Sequence, residues 1–175
     1  VRTPRWFYFY FTTAYGIMNE ENSDIIKRQA KEILNSDKHK EMEELNIILY
    51  YIVYGENNFK EHIKFVEDAK NMFDASEYIK AAKLYKNAFE RFPYNIDSYY
   101  NQMASLFKAN NFNETIDLYE ILPDSINPKN GKFEFLVARA YLNIGDSISS
   151  CKFFKKSNRL NFKSAKSYYI NLCEK

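Results

Sequence analysis

Apolar residues recur at three- and four-residue spacing along nearly the whole chain, the pattern of helices that bury one face. Ile26, Ala30 and Ile33 follow Ser23, a good N-cap residue, and predict a helix over Ser23–Leu34. Polar residues from Asn35 to His39 make a loop. Leu45, Ile48, Leu49, Ile52 and Val53 form a wide stripe, thickened by Tyr50, Tyr51 and Tyr54, in a helix that starts near Lys40 and stops before Gly55. A helix from Asn58 to Phe73 buries Ile63, Val66, Ala69 and Phe73. The next runs from Ser76 to Phe92 on Tyr78, Ala81, Ala82, Tyr85, Ala88 and Phe89, and Pro93 closes it. Further helices are predicted over Asp97–Ala109, Asn113–Ile121, Lys132–Asn143, Ser147–Asn158 and Ser164–Cys173, with Gly145 as punctuation. At the start, Thr3-Pro4 suits a helix N-terminus and predicts a helix from Pro4 to Asn19. The alternation Trp6 to Phe11 also fits a strand, but nothing nearby reads as a strand partner. The expected class is all-α.

Three segments that begin at His62, Ile96 and Gly131 repeat one helix–turn–helix pattern, 34 and 35 residues apart. The first carries Ala81, Tyr85, Ala88 and Pro93. The second has Asn110 at a turn position and Thr115 at a small-residue site, then Tyr119. The third has Gly145 at the turn, then Ser150, Phe154 and Ser157. Small residues (Ala69, Ala81, Thr115, Ala138, Ser150) let paired helices approach, and the rings Tyr85, Tyr119 and Phe154 fill the gap to the next pair. Asn57 to Ile63 also reads as an internal turn followed by a second helix, a phase that competes with the strict alternation.

With Ala81, Tyr85, Ala88 and Pro93 in these places, the sequence resembles the tetratricopeptide repeat family, in degenerate form. The resemblance covers about residues 62–175, with repeats over 62–95, 96–130 and 131–163 and a capping helix over 164–175; residues 1–61 form a less regular helical segment. Met103 stands where a small residue is usual, and Glu134 where an aromatic is usual. The resemblance implies an α-solenoid of antiparallel helix pairs, a right-handed superhelix with a polar cap.

It also implies a concave groove lined by first helices. By register the groove positions are Val66, Lys70 and Phe73; Tyr100, Asn101, Ala104, Phe107 and Lys108; and Lys132, Phe135, Leu136, Arg139 and Asn143. The candidate peptide-binding residues are Lys70, Tyr100, Asn101, Phe107, Lys108, Lys132, Phe135 and Arg139, a mixture of rings and cations suited to an extended or helical peptide with apolar anchors and acidic groups. The carboxylate clamp of some family members is matched only at Asn101 and Lys132, with Val66, Lys70 and Leu136 in its other places.

Composition changes this picture in two respects. The chain of 175 residues holds 15 Tyr, 15 Phe and 1 Trp, so packing many short helices has ample ring material. Lys, Asn, Ile, Tyr and Phe are also the residues that an AT-rich genome favours, so part of the ring excess follows from base composition. The charge is lopsided. Cys151 to Lys175 carries seven basic residues against Glu174 alone, whereas the first 150 residues are net acidic. Such an end is either a solvated face or an attraction for an acidic protein, a nucleic acid or an anionic membrane. Nucleic acid is the lesser expectation, because Phe154 is better explained as a repeat-core ring.

Chemistry is thinly supplied. His39 and His62 have no ligand partner at metal spacing, and there is no Gly-rich phosphate loop or Gly-x-Ser-x-Gly motif. Glu20-Glu21 and Glu43-Glu44 fall in charged runs. No catalytic residue, cofactor or metal is expected. Cys151 and Cys173 lie apart in sequence without a Cys-x-x-Cys spacing, so no disulfide is expected and a reducing, cytoplasmic setting follows. The segment from Trp6 to Met18 is too short to span a bilayer. The expected function is a non-catalytic scaffold that binds another protein, with self-association through the aromatic N-terminus. Val1 in place of Met keeps open a helical-repeat segment of a larger enzyme, such as a glycosyltransferase or peptidase. A small secretion chaperone is the other alternative.

Overall fold

The computed structural model describes residues 23–34, 43–93, 95–123, 128 and 130–174. The predicted first helix, the Trp6–Phe11 run and His39 lie outside the described residues, as does any self-association through them. The described chain is all-helical: α1 (Ser23–Leu34), α2 (Glu43–Asp74), α3 (Tyr78–Arg91), α4 (Ile96–Lys108), α5 (Phe112–Glu120), α6 (Lys132–Asn143), α7 (Ser147–Arg159) and α8 (Lys163–Cys173). Each helix packs on its neighbour in the chain, and α4 also touches α6.

Gly55 breaks α2 with φ 81° and ψ 173°, a conformation that glycine adopts without a Cβ penalty. The expected stop is therefore real, but it is a kink, since the helix resumes at once. Asn57 and Asn58 are helical, not a turn. Beyond Gly55, Ala69 of this helix packs with Ala81 and Tyr85 of α3. The helix runs on through residues 61 and 62, and its kink is at Gly55.

The turns between paired helices are equivalent. Ser76, Asn110 and Gly145 have left-handed backbones, with φ of 61°, 61° and 84°. Their amides bond back to Phe73, Phe107 and Leu142, and the next amides (Glu77, Asn111, Asp146) reach Met72, Leu106 and Tyr141. Both bonds of a Schellman closure thus recur at the predicted spacing and satisfy the last carbonyls of each first helix. Behind each turn, Ala69 and Ala81, Met103 and Thr115, and Ala138 and Ser150 are at most 1% exposed. Met103, the unbranched exception among small residues, is fully buried in the core cluster, and a thioether chain adapts readily to such a space.

The core is divided along the chain. Ala30, Leu34, Leu49, Tyr51, Ile52 and Phe59 join α1 to α2. Ala69, Ala81 and Tyr85 join α2 to α3. The largest cluster, with Tyr99, Met103, Phe107, Ile116, Phe133 and Val137, binds α4, α5 and α6. Asn95 caps α4 through Ser98 N (2.7 Å), and Asp146 caps α7 through Ser149 N (2.9 Å).

Two expectations are corrected at the C-terminal end. Cys151 and Cys173 form a disulfide, with Cα atoms 5.6 Å apart. The helix–turn–helix between them brings the end of α8 back beside the second turn of α7, so a separation of 22 residues is no obstacle. The inference of a reducing compartment from unpaired cysteines loses its basis. The last helix is also less polar than a cap should be, because Tyr168, Ile170 and Leu172 remain 37%, 46% and 44% exposed.

Candidate peptide-binding face

The contact between α4 and α6 brings several predicted residues together. Asp97 and Lys132 occupy the same register position in successive segments, and Lys132 Nζ donates to Asp97 Oδ1 at 2.7 Å. The same ammonium lies 4.6 Å from the centre of the Tyr100 ring, which meets Phe133 edge-on at 5.1 Å. Two helical turns further, the Arg139 guanidinium sits 4.8 Å from the Phe107 ring and 5.9 Å from that of Phe135. Cations over ring faces gain from the ring quadrupole, more so where water is partly excluded. Burial raises the Tyr100 hydroxyl above its ordinary pKa, and the positive charge of Arg139 opposes this to a lesser extent.

The remaining predicted residues divide. Asn101 is half-buried, and its carbonyl accepts from Ser105 Oγ at 2.7 Å. Lys70 and Lys108 are exposed. Leu136 and Phe107 both belong to the core cluster, at 6% and 9% exposure; Leu136 is not a groove residue, and Phe107 contributes to the face only as the ring under Arg139. Phe135 is half-buried and turns towards the C-terminal helices, with its ring 5.0 Å from Phe162 and 5.3 Å from Tyr168. Among the described residues Lys132 is already paired, and of the other candidate cations Arg139 is the one that lies over rings.

Sequence reasoning missed a polar network beside this face. Glu134 is 2% exposed; Tyr119 donates to its Oε1 at 2.7 Å, and Lys156 Nζ reaches Tyr119 Oη at 2.6 Å and Glu134 Oε1 at 3.2 Å. Burial is the main reason that the Tyr119 hydroxyl is raised. For Lys156, burial alone would lower the pKa, but the hydrogen bonds and charges of Tyr119 and Glu134 together raise it. The signal in the sequence was an acid at a position where the pattern calls for a ring. Asp97 was missed for a different reason: only the register, 35 residues from Lys132, could have paired them.

Elsewhere, an open hollow of about 390 Å³ lies at the turn into α3, lined by Ser76, Glu77, Tyr78, Ile79, Lys80 and Ala109. Its carboxylate, Glu77, is tied to Lys80, so it lacks convergent polar groups. No protein-family model matches the chain, and no curated protein matches it significantly.

Proposed function

We propose that the chain is a non-catalytic interaction module of tetratricopeptide type, whose α4–α6 face holds a peptide or helix from another protein. The observation that carries this reading is Arg139, a cation that lies over Phe107 and beside Phe135 without an acidic partner among the described residues. A carboxylate on the ligand would pair with the guanidinium, and an adjacent ligand ring would extend the stack on Tyr100. The 34- and 35-residue spacing of equivalent turns supports the repeat assignment, because stacked repeats share one turn geometry. No described helix is long and apolar enough to cross a membrane.

The test is fluorescence anisotropy with a labelled peptide of alternating glutamate and phenylalanine. Arg139→Glu should weaken binding about tenfold or more, and Arg139→Lys less, since charge is kept and the planar fork is lost. Lys27→Glu, an exposed residue on α1 away from this face, should change it little. Equal binding by wild type and Arg139→Glu, with unchanged circular dichroism, would reject this placement of the site.

A further inference from the structure

The C-terminal helix is held at two ends by different means. At its start, Phe162 follows Asn161, which has a left-handed backbone (φ 62°), and Phe162 N bonds to Ser157 O. Ser157 Oγ in turn donates to Gly131 O at 2.7 Å, at the head of α6. A Cβ on Gly131 would stand 2.7 Å from Ser157 O and 3.1 Å from Phe162 Cβ, so this junction is tightly closed. At its far end the covalent tie is Cys173 to Cys151. Between the two ends, α8 buries only Ala165 fully. Lys163, Lys166, Tyr168, Ile170 and Leu172 are all exposed to a substantial degree. A helix of 11 residues with so little buried surface is marginal without such a tie.

What α8 covers is part of the proposed site. Tyr168 stacks on Phe154 at 5.2 Å and meets Phe135 edge-on at 5.3 Å, while the Phe162 ring lies 5.0 Å from that of Phe135. Phe135 in turn neighbours Arg139. We infer that the Cys151–Cys173 disulfide is a redox latch, closed when oxidised and opened by dithiols, that keeps α8 over Phe135 and so controls access to one end of the α4–α6 face. This inference rests on the peptide-binding reading for its consequence, though not for the opening itself.

The chemistry needs only a dithiol reductant. One of its thiolates attacks Sγ of one cysteine and forms a mixed disulfide, and the other cysteine leaves as a thiolate. The second thiol then displaces the first cysteine and closes the reductant's own disulfide. Two electrons pass to the protein, and its two sulfurs end as thiols. Both cysteines are half-buried rather than sealed, so a small dithiol can reach them. In a reducing compartment such a bond forms transiently, which is the setting in which it can signal. With the tie gone, α8 can swing about Asn161, and Phe135 and Phe154 become available to a ligand ring in place of Tyr168.

The test uses the full chain, oxidised with oxidised glutathione or reduced with dithiothreitol. Reduction should speed amide exchange over 168–173 by about tenfold and leave 132–143 protected. It should also raise bis-ANS fluorescence, an increase that Phe135→Ala removes, and tighten the glutamate–phenylalanine peptide by about fivefold. Cys173→Ser should behave as the reduced form under both conditions, and Cys151→Ser should match it. Unchanged exchange in α8 after reduction, or failure of oxidised glutathione to form the bond, overturns the latch. Faster exchange with equal peptide affinity in both states overturns its control of the site and leaves the groove reading intact. Loss of peptide binding in both states, with faster exchange and stronger dye binding, overturns the groove reading and supports the latch alone.

Discussion

Where α2 meets α3, Ala69, Ala81 and Ala88 are fully buried around Tyr85; where α6 meets α7, the matching places hold Ala138, Ser150 and Ser157 around Phe154. The same two register positions also carry the tie across each pair, 26 residues apart in both. In the first it runs from His62 Nδ1–H to Ala88 O (2.8 Å), and in the second from Ser157 Oγ to Gly131 O (2.7 Å). The first junction is held by apolar contact and one histidine, with the exposed Arg91–Glu61 pair at its edge. The second carries hydroxyls, the buried Glu134 and, nearby, the disulfide. Alanine brings nothing that needs a partner, whereas each buried hydroxyl or carboxylate oxygen must find one. Ser157 has its partner, but Ser150 Oγ and Glu134 Oε2 have no hydrogen-bond partner among the described residues. The polar junction therefore depends more heavily on its central ring and on its charge pairing.

The largest expected effect follows from that ring. Phe154 is fully buried and touches Phe135 and Tyr168, so Phe154→Ala should cost about 4 kcal/mol of unfolding free energy in urea. Tyr85→Ala, at the apolar junction, should cost about 3 kcal/mol, because its side chain is 6% exposed and the flexible Met72 and Leu84 beside it can relax into part of the space. A greater loss for Tyr85→Ala would reverse the comparison.

A smaller effect tests the charge pairing. Lys156→Met leaves the Glu134 carboxylate buried without its cation and should destabilise by about 2 kcal/mol; the Lys156 side chain is 54% exposed, and screening keeps the loss below that of a fully buried pair. Glu134→Gln should cost less than about 1 kcal/mol, since Lys156 can turn to water and the amide can still accept from Tyr119. Equal losses for the two variants, measured by chemical denaturation at neutral pH, would mean that the network is not organised around the buried acid.

The difference between the junctions also explains what could be read in the sequence. The helices were legible because burial imposes a period: Ser23–Leu34 and Lys132–Asn143 are as their apolar positions predict. The turns at Asn110 and Gly145 were legible because few residues tolerate a left-handed backbone. Ser76, which takes the same conformation, carries no such mark. Pairings across helices were legible only where one register position could be set against another, so the rings and cations of α4 and α6 were found together. The disulfide and the Glu134 network depend on which helix faces are turned towards each other, and a periodic pattern does not carry that. Leu136 shows the same limit: one position beside Phe135, it faces the core.

The smallest effect isolates the apolar junction. His62 is 5% exposed, flanked by Phe59 and by Phe92 at 5.3 Å, and its Nδ1–H donates to the Ala88 carbonyl. Burial lowers its pKa below 6.5, and the bond to Ala88 O opposes this only in part. Below the ordinary histidine pKa the unfolded chain takes up a proton that the folded chain still refuses. The unfolded state then binds more protons, and stability rises with pH through that window. The contribution is fully present above about pH 6.5 and is lost as pH falls from there towards the lowered folded pKa. One proton limits the slope to about 1.4 kcal/mol per pH unit. The Arg91–Glu61 pair beside it (2.8 Å) is exposed and is retained in a His62→Gln variant, so wild type minus variant isolates the ring. The difference in unfolding free energy should shrink from pH 7 towards acid, and a flat difference would place the acid sensitivity elsewhere. The junction that carries no buried acid would then not be the one that acid loosens through its histidine, and the contrast between the two pairs would have to rest on packing alone.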